Sequence, residues 1–273
     1  MQDKISLAGD LGSGKSTVSA ILISRLGAEY YSTGAIVRSI ANRRGMSVVE
    51  LNEYMETHPE IDTEIDEGIA ALSELDKLLV IDSRMAWHFT RGTFKVYLSC
   101  DVETAALRIM NANRQGEHSS TLAETVAETR KRRESEKRRY LSQYGVDIKD
   151  LSNYSLIVDT TSATPEQIAE CIISSFGVWQ QDKSYKQLFI SPERLHFPDD
   201  ETDGEQISRL STELDLGNPI PEPEVFECDG EFYLAGGAES ALAYSFNMAP
   251  LIPSRLVSGT PIDKKYVKMR NSL

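Results

Sequence analysis

Residues 4–26 read Lys4-Ile-Ser-Leu-Ala-Gly-Asp-Leu-Gly-Ser-Gly-Lys-Ser-Thr-Val-Ser-Ala-Ile-Leu-Ile-Ser-Arg-Leu26, and the order of their parts decides the fold. Lys4 to Ala8 are short, apolar and partly β-branched, as a buried first strand should be. Val18, Ile21, Leu22 and Leu26 recur at helical spacing. Between them lies a complete G-x-x-x-x-G-K-[ST] phosphate loop, in the strand–loop–helix context that such a loop requires. Gly9, Gly12 and Gly14 let backbone N–H groups converge on phosphate oxygens without Cβ obstruction, with Ser13 and Thr17 completing the cradle. The helix N-terminus adds its partial positive charge. Lys15 is placed to reach the β- and γ-phosphates, and the Ser16 hydroxyl to ligate Mg²⁺. The chain is therefore expected to bind a nucleoside triphosphate, ATP in the leading reading.

Working outward, residues 1–177 alternate strand and helix, the pattern of a parallel sheet wrapped by helices. Residues 28–32 read as a short strand and 33–44 as a helix ended by Gly45. Ser47 and Glu50 have capping-box spacing for a further helix, and His58-Pro59 breaks it. Ile61, Ile65, Ile69 and Leu72 mark another. Residues 78–82 and 94–99 are strands, about 102–113 a helix, 121–143 a long charged helix, and 156–159 a last strand. Thr164-Pro165 opens a closing helix to about residue 176. The expected class is α/β, a P-loop three-layer parallel sheet with a helical lid, plus a small α+β C-terminal domain. Residues 178–186 are polar and read as a linker, which divides the chain into 1–177 and 184–273.

Bulk properties exclude several classes. The 273 residues carry a net charge of −13 with 26% charged and 40% hydrophobic residues. That balance disfavours a nucleic-acid coat or an anionic membrane surface as partner. No apolar run approaches the ~20 residues of a membrane helix. Met1-Gln-Asp-Lys enters a strand at once without signal-peptide layout, so a cytoplasmic protein is expected. Cys100, Cys171 and Cys228 are far apart and read as buried free thiols in a reducing compartment.

The acceptor side narrows the chemistry. Tyr31-Ser-Thr-Gly34 and Arg38 follow one helix after the loop. Asp82-Ser83-Arg84 ends a core strand, the edge where ligands bind in open α/β sheets. Asp82 is suited to hold Mg²⁺ through water, and Arg84 to fork onto a phosphate or base edge. Arg132, Glu136 and Arg139 lie at i, i+4 and i+7, so one helical face presents both guanidiniums around a carboxylate. The alternative for Arg130 to Arg139 is a solvated charged face. Nucleic-acid binding by that run is disfavoured, since Tyr140 and Tyr144 are its only aromatics.

Over residues 4 to about 176 the chain resembles the cytidylate kinases, particularly the compact archaeal-type members. The resemblance rests on the phosphate loop, Tyr31-Ser-Thr-Gly-Ala-Ile-Val-Arg38 and Ala41-Asn-Arg-Arg-Gly-Met-Ser47. It continues through His58-Pro-Glu-Ile-Asp-Thr-Glu-Ile-Asp66, Arg132-Arg-Glu-Ser-Glu-Lys-Arg-Arg-Tyr140 and Tyr144-Gly-Val-Asp147. It implies a kinase moving the ATP γ-phosphoryl group to CMP or dCMP. Ser32, Arg38 and Arg84 would then contact the acceptor, and Arg108, Arg132 and Arg139 would neutralise the transferring group. There are departures. Ser83 stands where the family usually carries Gly, and Ala105 or Ala106 replaces a lid arginine, leaving Arg108 and Arg114. Two other readings stay open: a P-loop kinase for another small acceptor, and a nucleotide-sensing regulatory protein with little turnover.

Residues 219–246 are similar to the ParB/sulfiredoxin superfamily core, which couples a strand pair to a phosphate-holding G-x-x-R helix start. Glu239 occupies the arginine position here, and its charge would repel a triphosphate. The tail is accordingly read as a degenerate module for protein contact or regulation.

Overall fold

The computed structural model describes residues 2–55, 57–112, 121–261 and 265–268. The first half runs β1 (Lys4–Gly9), α1 (Lys15–Leu26), β2 (Glu29–Ser32), α2 (Thr33–Arg44), α3 (Val48–Met55), α4 (Pro59–Ala71) and β3 (Leu79–Asp82). It continues with the one-turn α5 (Ala86–Phe89), β4 (Thr93–Ser99), α6 (Val102–Asn111), α7 (Leu122–Tyr144), β5 (Leu156–Asp159) and α8 (Pro165–Gln181). The second half adds β6 (Gln187–Ile190), β7 (Leu195–Pro198), α9 (Gly204–Asp215), β8 (Glu224–Cys228), β9 (Glu231–Gly236), α10 (Ala238–Phe246), β10 (Ile252–Leu256) and β11 (Tyr266–Lys268). Among the described residues no helix is long and apolar enough to cross a membrane.

Local chemistry sets the helix ends. Ser47 Oγ accepts from Glu50 N while the Glu50 carboxylate accepts from Ser47 N. Thr121–Glu124 and Thr164–Gln167 form the same reciprocal box at α7 and α8. Each such N-cap contributes about 1 kcal/mol. Gly27, Gly45 and Gly145 close α1, α2 and α7 in the left-handed conformation.

The strands form one sheet in the order β11-β7-β9-β8-β10-β6-β5-β4-β1-β3-β2. From β2 to β6 every pairing is parallel. β10 then joins β6 antiparallel. On one face α1 and α8 bury Val18, Leu22, Ile168 and Ile172 against Ile5, Leu7, Val96 and Val158. On the other face Ala8, Tyr97, Ile157 and Tyr154 share a core with Leu188, Ile190, Val225, Phe232 and Ile252. A third cluster packs α2, α3 and α4 onto the β3 edge through Ile40, Leu51, Ile61, Ile69 and Ile81.

The structure corrects the reading of residues 178–186. They are not a linker: α8 continues to Gln181, and a turn then leads straight into β6, which pairs parallel with β5. Trp179 explains the added helical turn, being only 5% exposed and packed on Phe94 with ring centroids 5.5 Å apart. Likewise α4 stops at Ala71, and Leu72, expected in the helix, opens a single tighter turn over 72–74. In the second half β6, β7, β11 and α9 were not anticipated.

Trp179→Ala should lower the unfolding free energy by about 3–5 kcal/mol, the usual cost of emptying a buried aromatic site. Urea unfolding followed by circular dichroism measures it.

Candidate active site

The phosphate loop joins β1 to α1, and two of its glycines are there for want of space. A Cβ on Gly9 (φ 144°) would collide with the Leu98 backbone, and one on Gly12 (φ 75°) would lie 2.6 Å from the Ala105 carbonyl oxygen. Gly14 (φ 81°) supplies the left-handed turn into α1, which has no side-chain cap. Thr17 N and Val18 N donate to the Gly14 carbonyl at 3.0 and 3.1 Å, which leaves the Lys15 and Ser16 N–H groups for an anion. Ser13 Oγ donates to the Asp10 carbonyl at 2.8 Å and braces the loop internally. Lys15 Nζ lies across the loop, donating to the Gly9 and Asp10 carbonyls at 3.1 and 3.0 Å.

Three elements converge beside Lys15. Arg84, just past β3, donates to the Gly9 carbonyl at 3.2 Å. It also forks onto Glu136 of α7, with Nε at 2.5 Å and Nη2 at 3.1 Å from the two carboxylate oxygens. Arg132 reaches the same carboxylate at 3.4 Å. Burial, and then the Arg84 guanidinium, pull the Lys15 ammonium down to about 8, against the opposing carboxylates Asp82, Asp10 and Glu136. Burial opposes charge on Glu136 too, but Arg84 and Arg132 hold it below its ordinary range. The result is a compact cluster of three cations around one carboxylate at the mouth of the loop.

A second network anchors the loop from behind. The Asp10 carboxylate, 6% exposed, accepts from Tyr97 OH at 2.9 Å, from Cys100 N at 3.0 Å and from Lys149 Nζ. Arg133 of α7 lies 3.7 Å from it and donates to the Leu11 carbonyl at 3.3 Å. Burial would raise this carboxyl, yet Lys149, Arg133 and the hydrogen bonds hold it well below the carboxylate range. Asp10, Tyr97, Arg133 and Lys149 do not stand out as site residues in the sequence. Asp10 occupies a variable place in the loop motif, and Lys149 lies 139 positions away.

The expected site residues divide into groups. Lys15, Asp82, Arg84 and Arg132 gather at the loop. Ser16 and Thr17 are exposed on the first turn of α1. Asp82 accepts from Tyr30 OH at 3.2 Å. Ser32 Oγ caps α2 by accepting from Ala35 N, and Arg38 is exposed on the same helix. Arg139 is one turn beyond Glu136, its guanidinium 5.0 Å from the Tyr140 ring. Arg108 stands apart: it donates to the Thr160 and Thr161 carbonyls at 2.7 and 3.2 Å, at the end of β5. Arg114 lies outside the described residues.

Three sequence departures acquire structural reasons. Ser83 is 4% exposed and its hydroxyl accepts from Met85 N at 3.2 Å, so it shapes the turn into α5. Ala105 and Ala106 are fully buried, and Ala105 lies against Gly12, so neither position has room for an arginine. In the tail, the Glu239 carboxylate accepts from Asp203 N at 3.4 Å, and Gly237 passes too close to Pro223 for any Cβ.

The AAA domain family model matches residues 5–141. Cytidylate kinase of Archaeoglobus fulgidus is 35% identical over 176 residues, covering 64% of this chain and 95% of that protein. Cytidylate kinase of Thermoplasma volcanium is 35% identical over 186 residues, covering 67% and 95%. A solved structure of an uncharacterized protein from Eubacterium ventriosum aligns with a TM-score of 0.50 at 15% identity, covering 64% of this chain and 99% of that one.

Asp10→Asn should cost about 3 kcal/mol at neutral pH, because it strands two cations beside a buried site. A depressed carboxyl stabilises the fold above its unfolded pKa of about 3.9 and loses that contribution as pH falls. The gap between wild type and variant should therefore narrow below about pH 4, as urea unfolding at pH 7 and pH 3 would show.

Proposed function

The chain belongs to the AAA domain family over residues 5–141 and to the cytidylate kinases, and from that footing we propose that it transfers the ATP γ-phosphoryl group to CMP or dCMP. One observation carries the reading. Arg84 links the β3 edge, the Gly9 carbonyl and Glu136 of α7, so acceptor edge, phosphate loop and lid helix meet at a single guanidinium. A phosphoryl group passing between two nucleotides needs such a meeting point, since its transfer depends on in-line positioning and charge neutralisation.

In this reading Lys15 leaves the Gly9 and Asp10 carbonyls for the β- and γ-phosphates. Gly12, Gly14 and Ser16 offer backbone N–H groups to the phosphates, and Ser13 and Thr17, whose N–H groups donate to the Asp10 and Gly14 carbonyls at 3.3 and 3.0 Å, complete the cradle. Ser32, Arg38 and Arg84 hold the acceptor, and Arg132, Arg139 and Arg108 are assigned to charge in the transfer. The Ser16 hydroxyl and Asp82 carboxylate are hard oxygen donors that suit Mg²⁺, which would neutralise the phosphate oxygens. The buried Ser83 disfavours a change of acceptor through that position.

The tail, residues 184–273, is proposed as a degenerate ParB/sulfiredoxin-like module for protein contact or regulation. Glu239 in place of a phosphate-binding arginine supports that assignment. The protein is proposed to act in the cytoplasm.

A coupled ADP-release assay over a panel of nucleoside monophosphates and small alcohols tests the reading. Fast turnover with CMP or dCMP is expected; turnover with another acceptor alone, or none, would overturn it. Lys15→Ala should lower kcat at least ~10²–10³-fold, the scale for removing one preorganised charge-stabilising donor.

The ammonium of Lys15 is depressed to about 8 in the free protein. Only the charged form attracts phosphate, so ATP affinity should fall as pH rises through 8, by up to tenfold per pH unit. Titration calorimetry between pH 7 and 9.5 reads the slope.

A further inference from the structure

Asp10 puts a carboxylate inside the loop that is read as receiving a triphosphate. Its backbone serves the loop: the Asp10 carbonyl accepts from Lys15 Nζ at 3.0 Å, from Ser13 Oγ at 2.8 Å and from Ser13 N at 3.3 Å. Its side chain is close enough for the charge to act on the Lys15 ammonium. Left uncompensated, a negative charge at this place would repel the phosphates that Lys15 is placed to meet. The loop therefore needs a counter-charge that it does not itself supply.

The segment after α7 brings one. Gly145 ends the helix in the left-handed conformation, and Asp147 Oδ1 then accepts from Lys149 N at 2.8 Å, which turns the chain back toward the loop. Lys149 Nζ donates to Asp10 Oδ1 and, at 2.7 Å, to Tyr97 OH, with the ammonium 5.5 Å from the Tyr97 ring centroid. Arg133 adds a second cation, its Nε 3.7 Å from the same carboxylate oxygen. One carboxylate between two cations leaves this corner of the loop with a net charge of +1. We infer that Lys149 is a positioning residue for ATP: acting through Asp10 rather than on the nucleotide, it keeps a loop that carries a carboxylate attractive to a triphosphate. The inference rests on the kinase reading only in taking ATP as the ligand of the loop. Charge and scaffolding are separable by sign. Lys149→Gln takes the corner to 0, Asp10→Asn takes it to +2, and the double variant returns it to +1. Each single variant strands a charged partner and loses stability, but only a charge role moves ATP affinity in opposite directions.

The test uses the full chain. ATP dissociation constants by calorimetry and thermal midpoints are compared for wild type, Lys149→Gln, Lys149→Arg, Asp10→Asn and the Asp10→Asn/Lys149→Gln double variant. Lys149→Gln should weaken ATP roughly tenfold, the scale of one unit charge ~10 Å away at an effective dielectric constant of ~20. Lys149→Arg, which keeps the charge, should stay within about twofold of wild type on the same scale. Asp10→Asn should bind ATP more tightly than wild type although its midpoint falls, and the double variant should recover most of the affinity that Lys149→Gln loses. If a variant carrying Asp10→Asn fails to fold, the contrast between Lys149→Gln and Lys149→Arg decides. Unchanged affinity in Lys149→Gln, equal weakening by Lys149→Arg, weaker binding by Asp10→Asn, or a double variant no better than Lys149→Gln would each overturn the inference. ATP binding by wild type without CMP turnover sinks the reaction but leaves the Lys149 comparison decisive. Absence of ATP binding by wild type sinks both.

Discussion

The phosphate loop has room to exist only because its backbone is allowed to touch β4 and α6 directly. Gly9 lies against the Leu98 backbone and Gly12 against Ala105, at separations that no side chain tolerates. The contact is reinforced where Asp10 N donates to the Leu98 carbonyl at 2.9 Å. With the loop seated this way, α1 must leave toward the face that carries α8, and its unpaired N–H groups must face the carboxyl edge of the sheet. The site's left and right halves follow from that seating: β3 and β2 on one side of β1, β4 and β5 on the other.

Holding cations at one spot in a protein of net charge −13 is a local cost, and the structure offsets it unevenly. Arg84 has Glu136 in a two-pronged contact, and its guanidinium is held more firmly charged than usual despite burial. Lys15 has only backbone carbonyls and more distant carboxylates, and its ammonium is depressed to about 8. An arriving phosphate therefore relieves Lys15 most, which places the strongest attraction at the loop itself. The bidentate Arg84–Glu136 pair instead fixes geometry, tying α7 to the loop before any ligand arrives.

Patterns of short range were legible in the sequence. The loop motif, the apolar runs of β3, β4 and β5, the capping pair Ser47–Glu50 and the Thr164-Pro165 helix start each declare themselves within a few residues. What was missed depends on partners far along the chain. Asp10 and Lys149 meet only because β1 and the segment after α7 end at the same edge. Gln187–Ile190 is four residues long, and it is a strand because β5 offers a parallel partner on one side and β10 an antiparallel one on the other. Helix α9 did carry a signal, since Ile207, Leu210 and Leu214 fall at helical spacing, but the surrounding carboxylates masked it. Sequence spacing does not say which face of α6 meets the loop, so it does not separate Ala105, packed on Gly12, from a position open to an arginine.

The second half of the chain is less an appendage than a continuation of the sheet. Without β6, β5 would be an exposed edge with three consecutive apolar residues, Leu156 to Val158, the kind of strand that recruits foreign partners. Covering it brings Leu188, Ile190, Val225, Phe232 and Ile252 into one core with Ala8, Tyr97 and Ile157. Ala8 directly precedes Gly9, so this shared core reaches within one residue of the phosphate loop. Close-packed interiors do not deform gradually. The tail therefore does not shift as a body without disturbing the strand that carries the loop. Its influence on the site must pass through small side chains and turns at the sheet's carboxyl edge, where Arg194 and the Gly230 carbonyl already stand against the end of β5.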